Sequence, residues 1–120
     1  MRGGRGDRGQ ATVEFALVLP LLVLVLAGVI WVGNIMTVQV RLEHAAREGA
    51  RAAAVEPERA SSVAPAAVGR SMPDAFTSIG FDGDYVVVTV SKNVDGVPFI
   101  GVGARTLEAD VAMRREDLIN

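Results

Sequence analysis

Between Glu14 and Arg41 lie 26 residues without a formal charge, and Asn34, Thr37 and Gln39 are the strongly polar side chains among them. As a helix rising about 1.5 Å per residue, that stretch reaches roughly 39 Å, more than the ~30 Å hydrocarbon core of a bilayer. The constraint is severe. In a chain of 120 residues, a span of this length leaves about 80 residues, enough for one small domain with a modest core. Ahead of the span, Arg2, Arg5 and Arg8 stand among Gly3, Gly4, Gly6 and Gly9. Glycines resist helix formation, so residues 1–9 read as a flexible cationic leader. Positive flanks stay on the cytoplasmic side, which places everything after Val40 outside.

The outer segment, residues 41–120, carries 9 basic and 12 acidic side chains. This balance argues against nucleic acid as a partner. Without cysteine the chain has no disulfide, lipobox, thiolate metal site or thiol nucleophile. One histidine, His44, stands alone on a charged helix face and reads as solvated. Neither it nor Asp82, Asp84 and Asp95, which turn chemistry explains, supplies a metal or catalytic constellation. The expectation is no enzyme, no cofactor, no metal and no small-molecule substrate.

Helical periodicity continues beyond the apolar run. Ile35, Val38, Leu42, Ala45, Ala46, Gly49, Ala50 and Ala53 recur at steps of three and four, tracing one face made mostly of small residues. Glu43 with Arg47 and Glu48 with Arg51 have the spacing of stabilising helical ion pairs. One long helix over about residues 11–55 follows, ended by Pro57. Pro57 suits the first turn of a second helix over 57–70, which Pro65 is expected to break or kink. Ser71–Asp74 reads as a turn.

After Gly80 the period changes to that of strands. Asp84–Lys92 alternates, with Val86, Val88 and Val90 on one face; Thr106–Arg114 alternates likewise, with Leu107, Ala109, Val111 and Met113 inward. An antiparallel pair is predicted around a loop holding Gly96, Pro98, Gly101 and Gly103, with Val97–Ile100 a candidate third strand. The fold class is α+β: a single-span protein whose long helix packs, at its outer half, on a second helix and a small antiparallel sheet. The domains are a leader over 1–9, a membrane helix over 10–40 and an extracytoplasmic domain over 41–120.

Glu14 is the residue that a simple signal anchor does not explain, since a carboxylate at membrane depth costs about 2.5–3.5 kcal/mol on insertion scales. A secretory signal cut at Val25-Leu26-Ala27 does not explain it either, and the apolar run overshoots the usual h-region. Gly9, with Glu14 and Phe15 following after four residues, resembles the processing site of type IV-type prepilins, cut by a membrane peptidase after the glycine. The new α-amine of Gln10 would then offset the charge of Glu14.

Two runs narrow that resemblance: Val13-Glu14-Phe15-Ala16-Leu17-Val18-Leu19-Pro20 and Ala46-Arg47-Glu48-Gly49-Ala50-Arg51. With the closing Ala109-Asp110-Val111-Ala112-Met113-Arg114 strand they are similar to the TadE-like family of minor pseudopilins. The resemblance implies a part in assembling the tight-adherence (Flp-type) pilus. Its implied partners are a prepilin peptidase, other minor pseudopilins or the major pilin, and the assembly platform in the cytoplasmic membrane. It marks Gly9 and Gln10 as the cleavage junction and Glu14 and Phe15 as recognition or docking residues. Ala45, Ala46, Gly49, Ala50 and Ala53 form the packing face. The alternative is an anchored extracytoplasmic binding module with an uncleaved signal anchor.

Overall fold

In the computed structural model, residues 3–116 are described, with side chains from Arg8 onward. Two helices are followed by one sheet. Helix α1 runs from Gly3 to Val55, 53 residues, or about 80 Å at the standard rise, and dominates a molecule of 92 × 21 × 20 Å. It starts earlier than Ala11: the glycine-rich segment from Gly3, expected to be non-helical, continues the same helix. Extending a formed helix needs no new nucleus, so the glycines lower stability there without setting the boundary.

The chain leaves α1 through Glu56, and a 3₁₀ turn over Pro57–Arg59 leads into α2, Ala60–Ser71. Pro65 lies inside α2, and the helix continues through it. The carbonyl its ring leaves unpaired is that of Ser61, an exposed residue that water can satisfy. The expected break is therefore absent.

Three strands, β1 (Phe76–Asp82), β2 (Tyr85–Val94) and β3 (Arg105–Arg114), form an antiparallel sheet in that order. The predicted β2–β3 pair is present, with Val88 opposite Val111 and Val90 opposite Ala109. The third strand is β1, which pairs from Phe76 opposite Ser91 to Asp82 opposite Tyr85. Val97–Ile100 is part of a turn instead. Between β1 and β2 the two loop residues are Gly83 and Asp84, and Gly83 has φ 58°, the left-handed conformation that tight hairpins demand and glycine tolerates.

The core lies where the second half of α1 meets α2 and the sheet. Leu42, Ala45, Ala46, Ala50 and Ala53 from α1 are buried with Ala60, Ala64 and Val68 from α2 and Val86, Val88 and Val90 from β2. Alanines facing alanines bring the helices close, while the valine row of β2 fills the third side. Core contact on α1 starts at Ile35 and Val38, ahead of Arg41, the first charge after the apolar run. Neither expected ion pair forms: Glu48 instead faces His44, Nε2 to Oε1 3.2 Å, and accepts a 3.5 Å hydrogen bond from Ser71 Oγ. Exposed pairs of this kind contribute little, so sequence spacing does not decide among them.

Candidate functional site

Among the described residues, α1 is the one helix long and apolar enough to cross a membrane. Leu and Val side chains from Val13 to Val32 stand exposed around its whole circumference, a surface that water would not tolerate on this scale. Gly9, Gln10 and Glu14 are exposed at its start, and Phe15 is 68 % exposed. No heavy atom lies within 4 Å of where a Cβ on Gly9 would sit. Glu14 follows Gly9 by five positions, about 7.5 Å along the axis and somewhat past one full turn. Thr12 Oγ1 donates to the Arg8 carbonyl at 2.8 Å, turning that hydroxyl back onto the helix. The structure thus leaves Gly9 and Gln10 exposed and most of the apolar side chains beyond them uncovered.

The small-residue face is placed differently. Ala45, Ala46, Gly49, Ala50 and Ala53 are all buried within the chain's own domain. They hold α2 and the sheet against α1 and leave no surface for a second molecule. Gly49 fits most tightly, since a Cβ there would approach Val68 Cγ2 to 2.9 Å and Val88 Cγ1 to 3.1 Å.

A further feature joins the two halves. The loop from Asp95 to Ala104, between β2 and β3, folds back along α1 towards its N-terminus. At its root the Trp31 indole donates Nε1–H to the Asp95 carbonyl at 3.0 Å, and the Arg105 guanidinium lies 5.4 Å from the ring centroid, within cation–π range. Gly103 lies beneath the ring, where a Cβ would come within 2.7 Å of Cζ2. Beyond the root the loop closes on itself. Val97 N donates to the Val102 carbonyl at 2.8 Å, and Gly101 N to the Val97 carbonyl at 2.8 Å. Gly96 admits no side chain, because a Cβ there would overlap the Gly101 carbonyl.

At the tip, Phe99 has φ 72° and is 96 % exposed. A bulky residue held in the left-handed region costs about 1–3 kcal/mol. Its ring shares an apolar cleft of about 400 Å³ with Ile100 and with Leu19, Val23 and Ala27 of α1. Sequence reasoning placed the turn glycines in this loop and had no signal for its return to α1. The single tryptophan followed by a charge-free loop of glycines and apolar residues is the trace it leaves.

Comparison with known proteins gives two findings. Residues 9–51 match the model of the family described as TadE-like protein. The chain is 36 % identical over 103 residues, covering 82 % of this chain and 74 % of the relative, to the apoptosis inhibitor Rv3655c of Mycobacterium tuberculosis (strain ATCC 25618 / H37Rv). No solved structure matches it.

Proposed function

Since the chain belongs to the TadE-like family, whose members are structural rather than enzymatic and are involved in Tad pilus assembly, we propose that it is a minor pseudopilin-like subunit of that system. It sits in the cytoplasmic membrane by α1, with its N-terminus inside and the α2–sheet domain outside. A prepilin peptidase cuts between Gly9 and Gln10. Glu14, with Phe15 beside it, then serves peptidase recognition and docking onto a neighbouring pseudopilin, the major pilin or the assembly platform.

The observation that carries this reading is where the family match falls. It begins at Gly9 and ends at Arg51, so it takes in the junction, the apolar helix and the small-residue face up to Ala50, and none of the sheet. The geometry supports it in two ways. Gly9 and Gln10 are exposed on α1, within reach of a peptidase. Apart from the side faced by the β2–β3 loop, the apolar side chains of the helix beyond them are exposed, as a subunit that docks by helix packing requires. The charge logic also closes: cleavage creates an ammonium at Gln10 in a low-dielectric setting, where attraction to Glu14 is strongest.

Intact mass of the membrane-extracted protein, after expression beside the cognate peptidase, tests the reading. A mature chain starting at Gln10 is expected. Retention of residues 1–9 in the presence of active peptidase would refute it and leave an uncleaved anchored module in its place.

A further inference from the structure

The boundary of the membrane span is marked by a side chain well inside the charge-free run. From Glu14 to Asn34 the helix advances 20 residues, about 30 Å, which equals the hydrocarbon thickness of a bilayer. Beyond Asn34 one face of α1 belongs to the domain: Ile35 and Val38 join its core, and Gln39 Nε2 donates to the Glu108 carbonyl at 3.0 Å, while Met36 and Val40 on the other face stay exposed. Trp31 lies just before that boundary, with Arg105 stacked on its ring. A tryptophan bonded to a backbone carbonyl and covered by a guanidinium is an amphipathic cluster suited to the headgroup level.

The β2–β3 loop starts at this cluster and runs towards the N-terminal end of α1. Residues 96–104 carry no charge. Their tip lies against the segment Leu19–Ala27, centred about eight residues, or roughly 12 Å, on the membrane side of Trp31. Phe99 is almost wholly exposed there and Val102 is 65 % exposed. The N–H groups of Val97, Ile100 and Gly101 are paired within the loop, which lowers, without removing, the cost of placing non-helical backbone at this depth.

We propose that residues 97–102 insert into the acyl region of the bilayer leaflet on the domain side, as a second and non-spanning membrane contact beside α1. Trp31 and Arg105 set its depth. The occupant of the apolar surface at the tip is lipid, because that surface is continuous with the lipid-sized apolar surface of α1 and lies at its level.

The inference rests on α1 spanning a membrane, and one experiment separates the two. The chain has no cysteine, so single spin labels at Phe99→Cys, Val102→Cys, Leu22→Cys and Asp110→Cys can be placed in the full chain. Each is reconstituted at low protein-to-lipid ratio in phosphatidylcholine–phosphatidylglycerol vesicles, and collision rates with oxygen and with a water-soluble nickel chelate are measured. The Phe99 and Val102 labels are expected to match Leu22 in the helix, oxygen-accessible and shielded from nickel, while Asp110 reads as aqueous. Nickel-accessible labels at Phe99 and Val102 with a lipid-exposed Leu22 overturn the inserted loop and leave the span intact. Loop labels shielded from both reagents indicate a second copy of the chain over the tip and likewise overturn it. An aqueous Leu22 label overturns the span itself.

Discussion

Gly49 of α1 and Val68 of α2 meet so closely that one added carbon has no place to go: a Cβ on Gly49 would lie 2.9 Å from Val68 Cγ2, with Val88 Cγ1 of the sheet at 3.1 Å on another side. Three elements of the domain converge on that point. A glycine inside a helix costs about 1 kcal/mol relative to alanine, so its presence there reflects packing. Valine is stiff at χ1 and cannot swing its methyl away cheaply.

Gly49→Ala therefore sets a propensity gain of about 1 kcal/mol against an overpacking cost of about 1–3 kcal/mol. The expected outcome is net destabilisation of about 1 kcal/mol, read from thermal unfolding of the detergent-solubilised protein by circular dichroism. Val68→Ala alone also destabilises, since it removes a buried side chain. In the double variant the tightest contact is gone, the one with Val88 stays, and the propensity gain remains, so the coupling between the two sites should be favourable by about 0.5–3 kcal/mol. Strict additivity would mean that the close contact is not what holds Gly49 in place.

Leu42 is a large, fully buried side chain at the point where α1 enters the domain. Leu42→Ala is expected to cost about 2–5 kcal/mol. Val40→Ala, two positions earlier and 67 % exposed, should stay within about 0.5 kcal/mol of the parent. Equal melting temperatures for the two variants would contradict the burial pattern that divides this helix into faces.

Much of this arrangement is legible in the sequence because two periods dominate it. The three-four spacing from Ile35 to Ala53 and the alternation of Val86, Val88 and Val90 each mark a buried face, and nothing local opposes them. Strand β1 escapes because its core-side series, Thr77, Ile79 and Phe81, packs a single aliphatic side chain, Ile79, on the core, while Phe76 and Phe81, on opposite faces, both stay exposed; as an edge strand it buries little that a pattern can record. Val97–Ile100 looks like a strand and is not one, since the backbone at Gly96 and Gly101 closes the chain into a turn. The proposed processing junction rests on residue type and spacing alone. The contact between Trp31 and Asp95 joins residues 64 apart, and no periodicity reports such a distance.

That contact makes its own prediction. Trp31→Phe keeps an aromatic face for Arg105 and removes the donor to the Asp95 carbonyl, a net loss of about 0.5–1.5 kcal/mol. Amide hydrogen exchange of Val97 and Gly101, which close the loop, should accelerate by about 2- to 13-fold. Exchange in β1, on the far side of the sheet, should stay unchanged. Unaltered exchange at Val97 would show that the loop holds its position without the indole.

Glu14→Ala and Glu14→Gln separate the roles of charge and of membrane cost. Both remove a carboxylate whose insertion is unfavourable by about 2.5–3.5 kcal/mol at the bilayer centre and by less near an interface. Membrane extraction should therefore recover at least as much of either variant as of the parent. Pilus number in cells carrying either variant as the sole copy is expected to fall well below that of the parent. Normal piliation with both would remove the docking role from Glu14, and the Gly9–Gln10 junction would then stand without it.

Phe99 offers a case in which stability and function should move apart. Its left-handed backbone at φ 72° is comfortable for glycine and strained for phenylalanine, by about 1–2 kcal/mol. Phe99→Gly relieves that strain and returns about 0.4–1 kcal/mol of flexibility to the unfolded chain. With the ring 96 % exposed, little packing is lost in detergent, so the thermal midpoint should hold or rise by a few degrees. In vesicles the same change deletes the largest apolar group of the loop tip. A label at Val102→Cys should then become more accessible to the nickel chelate than it is beside the native Phe99. A thermal midpoint lowered by the equivalent of more than about 1 kcal/mol would instead mean that the ring serves the fold.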